Sequence, residues 1–200
     1  GLVIDRFRRA IQIDGDGGGA NPVVPPTGIG IYGDFLGTDT TGLTDVTSST
    51  SQAIRLEGAN ATLIGSSQAA DRNIISGYGA GILINQNSNP FNSTYAPAGR
   101  GGGSNVITNN YIGTDKTGLA ALGHTGAGIA VQGPDNQILT NVIAGNAGDG
   151  IQINEGNCGN IVDGVTNTTG YAATHNTVIS GNLIGVGADV HMGMFDDSKY

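Results

Sequence analysis

The chain has 200 residues, 38% of them hydrophobic, enough to bury a core, yet 36 are glycine and only 12% are charged, which is unusual for an ordinary globular domain. The net charge of -8 and pI near 4.5 argue against a nucleic-acid backbone as partner, because phosphates need clustered lysine and arginine, and the basic residues form one tight cluster, Arg6, Arg8 and Arg9. No run of about 18 apolar residues is present to span a membrane, no signal peptide is visible, and the single Cys158 excludes an internal disulfide framework.

Glycine and β-branched residues dominate the periodic segments, and both are poor helix formers, so strands and turns are predicted. The first short strand closes at Ile4. An Ile-x-Ile strand follows at Ile11 and Ile13, a second apolar strand ends at Ile31, and Leu36 closes the coil. The same order returns with Ile54, Leu56, Ile64 and Ile75, then with Ile82, Ile84, Ile107 and Ile112. It returns again with Ile129, Val131, Ile138 and Ile143, and finally with Ile151, Ile153, Ile179 and Ile184. The closing residues are 32, 39, 37, 31 and 41 positions apart. Three strands per repeat, each turning alternate residues inward, describe a coil of a parallel β-helix, and five to six coils are predicted over residues 1–188. Residues 189–200 depart from the pattern and read as a cap, linker or tail. Gly1-Leu2-Val3-Ile4 reads as the middle of a repeat, which predicts a fragment or a processed product.

Two further columns accompany the strands. Two residues before each closing position stand Asp34, Asn73, Asn110, Asn141 and Asn182, which stacking would align as a ladder of hydrogen-bonded amides. Ala10, Ala53, Gly81, Gly128 and Gly150 precede the Ile-x-Ile strands, where a tight corner admits only small residues. A two-coil alternation is superimposed, a superrepeat of about 70 residues. Residues 14–28, 85–104 and 154–176 are long excursions between first and second strands, whereas residues 57–62 and 132–136 turn the same corner briefly. Coils about 4.8 Å apart bring the long loops out on one face every 10 Å or so, and such a face is where solenoids commonly bind.

The resemblance carried by Asn110-Tyr111-Ile112-Gly113-Thr114-Asp115-Lys116-Thr117-Gly118, Asn141-Val142-Ile143-Ala144-Gly145-Asn146 and Gly150-Ile151-Gln152-Ile153 is to right-handed parallel β-helix repeat proteins of large secreted or surface-displayed bacterial polypeptides. It covers the chain to about residue 187. The resemblance implies an all-β solenoid, whereas the activity stays open, because similar helices carry lyases, hydrolases, adhesins and phage tailspikes.

Asp39 and Asp115 occupy equivalent positions two coils apart, roughly 10 Å, at or beyond the separation of an inverting glycosidase pair, and each reads as a turn residue capping its own backbone. Asp14 and Asp16, followed by glycines, resemble the opening of a calcium loop, although no further acid follows before Glu57. His124 and His175 fall in loops on different corners and read as surface histidines, and Arg72 and Lys116 fit solvated turns as well as sugar-carboxylate contacts. Asp196 and Asp197 resemble the adjacent aspartates of polygalacturonases, but the other signatures of that family are missing. Phe91, Tyr95 and Tyr171, with Arg100 and His175, make the long-loop face the expected binding surface. Asn60, Asn92 and Asn167 head Asn-x-Ser/Thr sequons.

The expectation is therefore a structural or adhesive module of an extracellular or cell-surface bacterial assembly, with no cofactor other than possible calcium. Its ends would be covered by other chains or further parts of the same polypeptide, and its loop face would bind a partner or glycan. The alternatives are a polysaccharide lyase or glycoside hydrolase of the β-helix type and a tailspike-like module.

Overall fold

A computed structural model describes residues 1–15, 25–47, 49–85, 102–154 and 174–188. Its strands form three parallel sheets, and consecutive coils contribute one strand to each. The first sheet holds β1 (Val3–Ile4), β4 (Phe35–Leu36), β7 (Ile74–Ile75), β10 (Tyr111–Ile112), β13 (Val142–Ile143) and β16 (Leu183–Ile184) in that order. The second stacks β2 (Ile11–Asp14), β5 (Gln52–Glu57), β8 (Ala80–Asn85), β11 (Ile129–Val131) and β14 (Ile151–Ile153). The third stacks β3 (Gly30–Ile31), β6 (Leu63–Ile64), β9 (Val106–Thr108), β12 (Gln137–Leu139) and β15 (Val178–Ser180). The protein is thus a β-solenoid of three strands per coil, interrupted among the described residues by one 3-10 turn at Ala69–Asp71.

The register follows the apolar columns. Ile4 pairs with Leu36, Leu36 with Ile75, Ile75 with Ile112, Ile112 with Ile143, and Ile143 with Ile184. Ile54 lies between Ile11 and Ile82, and Ile107 between Ile64 and Ile138. A register slip of one residue would turn every one of these side chains outward, so the alternating pattern holds the stack in place. The columns converge on one core: Leu36, Ile54, Leu56, Ile64, Ile82, Ile107, Ile112 and Ile138 are wholly buried.

The corners explain the polar columns. Between third-sheet and first-sheet strands, Asn73 Nδ2 donates to Asn110 Oδ1 at 2.8 Å, Asn110 Nδ2 to Asn141 Oδ1 at 3.0 Å and Asn141 Nδ2 to Asn182 Oδ1 at 3.0 Å. The same amides donate backward to the carbonyls of Ile31, Ile64 and Ile107. Each asparagine side chain therefore satisfies a buried N–H and a buried carbonyl of the preceding coil, which the sharp corner removes from the strand ladders, and joins its amide to that of the next coil. Asp34 differs because a carboxylate cannot donate: its Oδ1 accepts the Leu2 N–H at 2.7 Å, and its own N–H donates to Asn73 Oδ1. Left-handed backbone at Gly33, Asn109, Thr140 and Gly181 aims the residue that follows into this column.

The expected small column also has a steric cause. A Cβ built on Gly81 would meet the Gly128 carbonyl oxygen, and one on Gly128 would lie 2.7 Å from Ile143 Cγ2.

Candidate functional site

The corner between first-sheet and second-sheet strands carries the Gly-Thr-Asp repeats, and each begins where the chain must leave the coil. Gly37 and Gly113 have φ of 87° and 84°, and a Cβ at either would strike the carbonyl oxygen of the next coil, Ser76 or Ala144. The excursions then fold back as small hairpins, closed by antiparallel bridges between Thr38 and Asp45 and between Thr114 and Ala121. Asp115 Oδ1 accepts from Thr117 N (3.1 Å), Thr117 Oγ1 (2.7 Å), Leu119 N (3.2 Å) and Ala120 N (3.3 Å). Asp39 does the same for Thr41 Oγ1 and Leu43 N, and the Thr41 hydroxyl leads the causes that hold its carboxyl below the usual range. Both aspartates organise turns, and neither carboxylate is directed at the other's site.

The two described hairpins stack although they belong to alternate coils, and Ala188 reaches the far side of the second. Lys116 N donates to Gly42 O at 2.8 Å, and Ala188 N to Gly118 O at 2.8 Å. The Asp115 hairpin meets Gly42 on one side and Ala188 on the other, and Asp115 is buried while Asp39 is half-buried. Leu43 and Leu119 stand exposed at equivalent places in these two hairpins.

His124 corrects an expectation. It is 2% exposed, not a surface residue, because Nδ1 accepts the Tyr78 N–H at 3.1 Å while its own N–H donates to Asn146 Oδ1 at 3.1 Å. The imidazole acts here as the acceptor that asparagine supplies in other columns. Burial pushes its pKa down to about 4, against weaker support from backbone hydrogen bonds, so the neutral ring fills the site. Its Nε2 and the Tyr78 hydroxyl lie buried without a hydrogen-bond partner, and burial lifts the Tyr78 pKa to about 12.

Arg72 also has a structural position. Its guanidinium donates to Asn109 O at 3.1 Å and to Asn109 Oδ1 at 2.6 Å, and it sits 4.2 Å from the centre of the Tyr111 ring. The guanidinium thereby anchors one coil to the next. Asn60, the one sequon asparagine among the described residues, accepts the Gly103 N–H through Oδ1 at 3.0 Å, and its Thr62 is buried.

Of the residues expected on the long-loop face, His175 is half exposed, with Nδ1 4.0 Å from Asp135 Oδ1. Its carbonyl accepts the Asp135 N–H, and Asn176 Nδ2 donates to Asp135 Oδ1 at 3.1 Å, so this short corner supports the base of the long loop. Phe91, Tyr95, Arg100 and Tyr171 lie outside the described residues, as do Asp16, Cys158, Asn92, Asn167 and the segment 189–200. Asp14 ends β2 in register with Glu57. No group of three or more His, Cys, Asp or Glu able to hold a metal ion occurs among the described residues.

A second polar column was legible but missed. Thr62, Asn105, Asn136 and Thr177 stand two residues before Ile64, Ile107, Ile138 and Ile179, the same offset as the first ladder. Asn105 Oδ1 accepts the Thr62 N–H at 2.9 Å, and Asn105 Nδ2 donates to Asn136 Oδ1 at 3.0 Å. No family model matches the chain, and no curated protein or solved structure shows significant similarity to it.

Proposed function

We propose that the protein is a structural or adhesive module of the parallel β-helix repeat kind, working in an extracellular or cell-surface bacterial assembly. The observation that carries this reading is that the repeated polar residues are absorbed by stacking. The asparagines join coils, Asp39 and Asp115 hold turns, and His124 is a buried acceptor. An acid and base pair suited to glycosidic cleavage would instead leave carboxylates converging within roughly 5–9 Å around open space.

The ends of the stack are the proposed places of assembly. Ile153, Ile179 and Ile184 are 43–48% exposed, whereas the interior members of their columns are buried. Another chain, or more coils of the same polypeptide, would bury these side chains and pair the open strand edges. The long-loop corner is the proposed lateral contact for a partner or glycan.

Incubation with a panel of uronic-acid polymers tests the reading against a lyase or hydrolase. No unsaturated or new reducing ends are expected, and catalytic release of either would overturn it. Light scattering tests the end contacts: association that grows with concentration is expected, and a soluble monomer at every concentration counts against them.

A further inference from the structure

We draw no further inference here: the strongest candidate, the outer face of the third sheet, where Leu63, Val106 and Leu139 stand half-buried on the side opposite the core, is an unpartnered apolar face, and nothing in the structure shows what covers it.

Discussion

Ile143 and Ile184 are neighbours in one column, paired in register and set in nearly the same local sequence, yet Ile143 is 1% exposed and Ile184 48%. The same contrast separates Ile138 from Ile179, and Val131 from Ile153. Nothing in the pattern of a single coil distinguishes the members of these pairs. In a solenoid, burial is conferred by the coils above and below, and a coil with one neighbour keeps half of its interior open.

The largest effect that would sharpen this contrast comes from truncating the core. Ile112→Ala removes a wholly buried side chain between Ile75 and Ile143 and is expected to cost about 4 kcal/mol, whereas Ile184→Ala should cost less than about 1 kcal/mol. Chemical denaturation of both variants checks this. Equal costs would mean that the final coil is covered, and the distinction between interior and end would fail.

Acid should expose the interior histidine next. His124 titrates near 6.5 when unfolded and about 4 when folded, so below pH 6.5 the unfolded chain binds a proton that the folded chain refuses. Its contribution is intact above that pH and is lost as the pH falls towards 4, a swing on the order of 3 kcal/mol. His124→Asn keeps an acceptor for the Tyr78 N–H and should remove much of the acid sensitivity between pH 6.5 and 4. The comparison is of melting temperature against pH, and identical acid profiles would show that His124 is not the responsible group.

The asparagine column gives a smaller difference of the same kind. Asn110→Ala would strand the Asn73 N–H and the Ile64 carbonyl inside the stack and should cost about 3 kcal/mol. Asn182→Ala, in the partly open last coil, should cost about 1 kcal/mol. Hydrogen exchange at Asn73 and Asn141 would separate the two variants, with faster exchange at Asn73 expected only when Asn110 is changed. The hairpins provide the smallest contrast: Asp115→Ala should cost about 1 kcal/mol, and Asp39→Ala less, because the Asp115 hairpin meets Gly42 on one side and Ala188 on the other. Matching thermal shifts in the two would remove that distinction.

The strands and their register were readable because a residue's inward or outward direction is a local property with a period of two. Ile54 with Leu56 and Ile82 with Ile84, each pair separated by one residue, therefore announced both the strands and their pairing. The column of Asn73, Asn110 and Asn141 was readable for the same reason, since a fixed offset from a strand becomes a fixed place in the stack. Asn105 and Asn136 obeyed that rule too, but variation to threonine at positions 62 and 177 obscured it. His124 was misread because its column lies on a corner of variable length, where spacing from the next strand no longer marks an equivalent position.

By itself, then, the amino-acid order determined three strands per coil, their register, and the residues that link coils at one corner, all of which repeat with the local pattern. Only the tertiary structure decided which isoleucines are buried, and that hairpins two coils apart touch through Lys116 and Gly42. Those outcomes depend on contacts between residues tens of positions apart, and on how far each corner projects before the next coil closes over it.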